Sequence, residues 1–233
     1  MECIVLAGGL GTRLQGVIGA YPKCMAPVNG LPFLHYLFVY LQQQKCTRVI
    51  LSLGFKHEVI TQWLDTQNWP FDIDYVIEVE PLGTGGGIQR ALEQSAEKDV
   101  LVLNADTLFR VELPAMLDFH RQQNAATTLA LKEMHHFNRY GIVRINEGNQ
   151  IVSFEEKKFQ ETGLINGGIY AINKKAFFDK KLLERFSFEK QYLELFVAEK
   201  QFYGFPSDGY FIDIGIPEDY SKAQQDFKTI FED

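Results

Sequence analysis

Nowhere in the 233 residues does an apolar run approach the roughly 20 needed to span a bilayer, and no internal repeat, low-complexity tract or linker breaks the chain. Cysteine is scarce: Cys3, Cys24 and Cys46 are odd in number and lack C-x-x-C spacing, which argues against a disulfide framework or thiolate metal site and predicts reduced, buried thiols. A basic excess is also missing. Lys+Arg total 23 against Asp+Glu 30, a net charge of −7. No global field gathers a polyanion, so a nucleic-acid polymer is disfavoured as partner, whereas a single nucleotide needs only a few local cations. The opening Met1-Glu2-Cys3-Ile4 carries an acid where a signal peptide has its basic region. A cytoplasmic protein with no membrane partner is expected.

What is present is alternation. Cys3–Ala7, Arg48–Leu53, Asp74–Glu78 and Val100–Asn104 read as strands, and between them Phe33–Lys45, Lys56–Leu64, Gly86–Ala96 and Pro114–Asn124 carry apolar residues at helical spacing. This pattern predicts an α/β fold, a Rossmann-like, doubly wound, mixed but mainly parallel sheet. After Ala126 the rhythm turns to strand-like segments at Thr127–Leu131, Gly141–Ile145, Ile151–Phe154 and Leu164–Ile172. A hairpin is expected from Gln201–Phe205 and Tyr210–Ile214, then a closing helix over Glu218–Phe231. Residues 1–233 read as one domain. The adjacent His135 and His136 read as loop residues rather than metal ligands.

Directly after the first strand comes Gly8-Gly9-Leu10-Gly11-Thr12-Arg13-Leu14, with Lys23 ten residues beyond the arginine. Gly8, Gly9 and Gly11 let backbone N–H groups turn toward an anion, and Arg13 and Lys23 supply charge for a triphosphate. The string is not a P-loop and lacks the final glycine of the dinucleotide fingerprint. A tight βα turn with a solvated arginine accounts for the glycines equally well when they are taken alone.

The longer string G-G-x-G-T-R-L followed by P-K resembles the signature of the sugar-1-phosphate nucleotidyltransferases, and the likeness extends over nearly all of the chain. Those enzymes join a nucleoside triphosphate to a sugar 1-phosphate and release pyrophosphate. The resemblance implies that Leu6, Ala7, Gly8, Gly9, Gly11, Thr12, Arg13 and Lys23 line the nucleotide. Pro81, Gly83, Thr84 and Gly85, in Glu80-Pro81-Leu82-Gly83-Thr84-Gly85-Gly86, match its base- and ribose-binding loop, where a flat purine can lie on glycine backbone. Asn104 and Asp106 end a strand at the carboxyl edge, the ligand edge of open α/β sheets. The family commonly has glycine where Ala105 stands, so a need for positive φ there would be hard to meet.

Glu156-Lys157 resembles the family's E-K pair for sugar hydroxyls and sugar phosphate, although a run such as Glu155-Glu156-Lys157-Lys158 is by pattern usually a solvated face. Tyr140, Gly141, Asn166 and Gly167 complete the implied sugar-phosphate site, and Asp213 matches the second metal carboxylate. The resemblance thus implies Mg²⁺ on Asp106 and Asp213, and catalytic roles for Arg13, Lys23, Asp106, Lys157 and Asp213. It divides the domain into a nucleotide half, 1–125, and a sugar-phosphate half, 126–233. The strings Arg139-Tyr140-Gly141, Ile165-Asn166-Gly167-Gly168 and Ser207 to Tyr220 resemble the branch that uses GTP and D-glycero-D-manno-heptose 1-phosphate. Mannose or glucose 1-phosphate with another base, a non-catalytic nucleotide sensor, and a homodimer or homotetramer stay open at this level.

Overall fold

The computed structural model describes residues 1–9, 16, 19 and 21–231. Strand β1 (Glu2–Ala7) is followed by α1 (Phe33–Gln43), β2 (Arg48–Leu53), α2 (His57–Leu64), β3 (Asp72–Ile77), α3 (Gly83–Gln94) and β4 (Asp99–Asn104). The four strands are parallel in the order β4-β1-β2-β3. Side chains alternate across them. Cys3 and Val5 of β1 pack with Phe33 and Leu37 of α1 and Ile60 of α2, whereas Ile4 faces Ile88 and Leu92 of α3 on the other side. Burial on both faces explains the near-continuous apolar runs, and each fully buried Leu or Phe contributes ~1.5–3 kcal/mol.

The chain continues through β5 (Thr107–Phe109), α4 (Leu113–Gln122), β6 (Thr127–Phe137), β7 (Ile142–Ile145), β8 (Ile151–Glu155), β9 (Gln160–Asn173), α5 (Lys174–Phe178), β10 (Phe202–Pro206), β11 (Phe211–Asp213) and α6 (Pro217–Ile230). The long β9 runs antiparallel to β4 and joins the later strands to the sheet, which has nine strands among the described residues. The doubly wound, mainly parallel architecture is therefore present, with the later strands adding the mixed part. The chain end returns to the first core: Phe227 of α6 meets Phe33 and Tyr36 of α1.

Two local expectations are corrected. Gln201–Phe205 and Tyr210–Ile214 do not form a hairpin, because β10 pairs in parallel with β6 while β11 pairs antiparallel with β5 in a separate two-stranded sheet. His135 and His136 lie on β6 rather than in a loop, since the first part of β9 gives that strand a partner as far as Phe137. The three cysteines are buried and unpaired, as their number and spacing predicted. Among the described residues no helix is long and apolar enough to cross a membrane.

His120 of α4 is buried, with Nδ1 2.9 Å from Thr128 Oγ1 and no hydrogen-bond partner for Nε2. Burial pushes the imidazole down to about 4, outweighing the opposing pull of Asp99. Between the ordinary value of 6.5 and this lower one the unfolded state binds the extra proton, so stability is lost as pH falls through that window. Urea midpoints measured from pH 7 to pH 4 are expected to fall, with a shallower slope in His120→Leu whatever the absolute stability of that variant.

Candidate active site

The parallel strands deliver Gly8, Gly54 and Asn104-Ala105-Asp106 to one edge of the sheet, and Lys23 approaches it from a short 3₁₀ turn, Lys23–Met25. Its Nζ donates to Asp106 Oδ2 at 2.6 Å and lies 3.4 Å from Asp213 Oδ1. Asp213 reaches this point because β11 pairs with β5, setting Asp213 opposite Thr107, while Ile214 N donates to Asp106 O. The two acids, distant in sequence, therefore share one cation. Gly215 makes room for it, since a Cβ there would lie 3.0 Å from Lys23 Nζ and 2.9 Å from Asp213 Oδ1. The departure at Ala105 is harmless, because its φ is not positive. Burial, reinforced by Asp106, pushes the neighbouring Cys24 thiol up to about 12, which keeps it neutral.

These carboxylates suit a hard divalent ion. Both are oxygen donors already converging on one positive charge, and no third His, Cys, Asp or Glu joins them among the described residues. That is the donor set of a Mg²⁺ completed by substrate phosphate and water rather than a closed protein cage.

Beside the carboxylates opens a cavity of about 460 Å³ that unites Asn104, Tyr140, Gly141, Glu156, Lys157, Asn166, Gly167 and Asp213. β9 changes register between Asn166 and Tyr170 and bulges here. Gly168 has φ +76°, and a Cβ on it would lie 2.8 Å from Asn104 Nδ2, so glycine is required by the protein's own packing. The Asn166 amide donates to Tyr170 Oη at 2.9 Å and its Oδ1 accepts from Gly168 N. Arg139 lies over the Tyr140 ring and pairs with Asp219 at 2.7 Å, and burial together with the Asp213 carboxylate pushes the Tyr140 phenol above its usual range. Ser187, Glu189, Lys190 and Glu194 also line this cavity. Sequence reasoning missed them, because the segment reaches the pocket through packing of distant parts of the chain, on α3, β9 and α5.

Leu6 and Ala7 end β1 and lead into Gly8 and Gly9, whereas Gly11, Thr12 and Arg13 lie outside the described residues. Another residue that sequence reasoning missed stands beside Gly8. Glu78 accepts from Ser52 Oγ and from Leu82 N, both at 3.0 Å, and a Cβ on Gly8 would come 3.1 Å from its Oε1. An acid at the carboxyl end of a parallel strand was the available signal.

The glycine-rich loop differs from expectation. Pro81 is exposed, but α3 begins at Gly83, three residues earlier than the spacing suggested, and Gly85 N already donates to Phe186 O at 3.0 Å. Thr84 Oγ1 is occupied by Glu189 and Phe188 N. The Gly85 N–H is therefore spent on protein rather than free to read a base edge. Its missing side chain admits Phe186, whose ring atom would lie 2.1 Å from a Cβ. Gly85→Ala is expected to cost about 1–3 kcal/mol by overpacking, and most of this loss should disappear in the Phe186→Leu background when both are measured by chemical denaturation.

Comparison with known proteins agrees with this geometry. The nucleotidyl transferase family model matches residues 2–229. The chain is 49% identical over 228 residues to a D-glycero-alpha-D-manno-heptose 1-phosphate guanylyltransferase of Aneurinibacillus thermoaerophilus, covering 98% of this chain and 99% of that one. It is 44% identical to an enzyme of the same name from Campylobacter jejuni subsp. jejuni serotype O:2, covering 94% and 97%. The crystal structure of HddC from Yersinia pseudotuberculosis complexed with GMP-PN superimposes with a TM-score of 0.86 at 37% identity, covering 97% of this chain and 99% of that one. The family model over residues 2–229 and relatives 49% and 44% identical over nearly the whole chain show that the chain belongs to the nucleotidyl transferase family.

Proposed function

We propose that the protein transfers guanylate from GTP to D-glycero-D-manno-heptose 1-phosphate and releases pyrophosphate, forming GDP-heptose in the cytoplasm for surface polysaccharide or glycoprotein. One observation carries the reading: Lys23 joins Asp106 to Asp213, and Asp213 lines a cavity shared with Glu156, Lys157 and Asn166. The heptose and the guanine rest on the likeness to the heptose 1-phosphate guanylyltransferases and on GMP-PN in the related crystal structure.

A sugar phosphate is already a nucleophile at neutral pH and pyrophosphate is already a leaving group, so the protein must align two anions and offset their repulsion. Lys157 holds the attacking phosphate. One of its oxygens forms the new bond to the α-phosphorus while the bridge to the β-phosphate breaks in line, and no general base is needed. Lys23 faces the α-phosphate and Arg13 meets the charge gathering on the departing pyrophosphate, both acting electrostatically. Glu156 and Asn166 take sugar hydroxyls. Asp106 and Asp213 would hold a Mg²⁺, which would supply countercharge and polarise the α-phosphate. We read 1–233 as one domain, with residues of the sugar half, such as Ile212 and Phe227, packed in the core of the nucleotide half.

Pyrophosphate release measured for GTP, ATP, CTP, UTP and dTTP against heptose, mannose and glucose 1-phosphates is expected to peak with GTP and the heptose phosphate. Another preferred pair would replace the substrates, and nucleotide binding without any turnover would leave a sensor. Asp106→Asn and Arg13→Ala are expected to lower turnover about a hundredfold or more with folding intact. Near-normal rates in Asp106→Asn would contradict the metal assignment.

A further inference from the structure

The cavity beside the carboxylates holds five charged side chains that form no ion pair among the described residues, Glu156, Lys157, Glu189, Lys190 and Glu194, of which Glu189 is held by the Thr84 and Ser187 hydroxyls. Lys157 and Glu156 are accounted for by the sugar 1-phosphate. Lys190 and Glu194 are not. They stand four residues apart, the spacing at which Lys175 and Asp179 pair at 2.6 Å elsewhere in the chain, yet they remain separate and both line the cavity.

The segment carrying them is firmly held. Residues Glu189–Leu193 form a single π-helical turn, an arrangement frequent at functional sites. Glu189 accepts from Thr84 Oγ1 and Ser187 Oγ, both at 3.1 Å, and Phe188 N donates to Thr84 Oγ1. Phe188 and Tyr192 stack in the core beneath, at 5.1 Å. Lys190 thus projects from an anchored turn and Glu194 follows directly after it, so the backbone that presents both is already fixed.

A carboxylate and an ammonium presented together suit a neutral group that both donates and accepts hydrogen bonds, and a vicinal diol does both. With the phosphate end of the substrate held at Lys157, such a diol belongs to the sugar carbons beyond the ring. A heptose carries a two-carbon glycol there, whereas mannose carries a single hydroxymethyl group. Resting on the heptose reading given above, we propose that Lys190 and Glu194 form the subsite for the exocyclic glycol and set the preference for a heptose over a hexose.

The test uses initial rates of pyrophosphate release by the full chain, with GTP and either D-glycero-D-manno-heptose 1-phosphate or mannose 1-phosphate, for wild type, Lys190→Ala and Glu194→Ala. Both residues are exposed, so the fold should tolerate their loss, checked by an unchanged thermal midpoint. The expected result is a rise of about tenfold or more in KM for the heptose phosphate with kcat within about twofold, and unchanged KM for GTP and mannose phosphate. Equal rises for both sugars, or no rise for either, would overturn the subsite while leaving the heptose reading standing. A wild type that prefers mannose phosphate would overturn that reading on its own row of the experiment, and the subsite with it.

Discussion

Two carboxylates on one ammonium are the constraint around which the site is built. Lys23 comes from a turn after β1, Asp106 from the end of β4 and Asp213 from β11. Bringing two anions together in a partly covered cleft costs several kcal/mol without countercharge, so the lysine is a condition for the acids lying where they do. In this arrangement both acids are already oriented toward a cation, and one positive charge stands at the carboxyl edge of the sheet. The pairing of β11 with β5 holds this geometry and ties Asp213, near the end of the chain, to the strand that follows Asp106.

Packing imposes the second constraint. Gly85 and Gly168 are needed because Phe186 and Asn104 occupy the space their side chains would fill. Glycines that read as ligand contacts in a sequence are thereby fixed by the protein's interior, and any contact with a substrate is made by a surface already shaped. The anchored turn at Glu189–Leu193 works in the same way, bridging the start of α3 and the cavity through Thr84 and Glu189.

Much of this was legible in the sequence, for physical reasons. The parallel core announced itself through apolar runs buried on both faces, and the motifs singled out in the sequence lie near one another in the fold, Glu156-Lys157, Asn166-Gly167 and Asp213 around one cavity and Lys23 between Asp106 and Asp213. What remained hidden depends on pairing between distant segments. β10 and β11 look like a hairpin because each is a good strand beside a Pro-Ser-Asp-Gly turn, yet each has a better partner elsewhere in β6 or β5. His135 and His136 became strand residues only because β9 is long enough to reach them. Glu78 and Ser187–Glu194 carry no motif, and their place in the site follows from the hydrogen bonds and packing of the folded chain.

The central claim is that Asp106 and Asp213 together make a divalent-cation site once a nucleotide is present. Electron paramagnetic resonance of Mn²⁺, titrated into the protein with a non-hydrolysable GTP analogue, tests it without relying on turnover. The account predicts a bound ion in the wild type and an affinity at least about tenfold weaker in both Asp106→Asn and Asp213→Asn, with the analogue still bound. Unchanged Mn²⁺ affinity in either variant would contradict it.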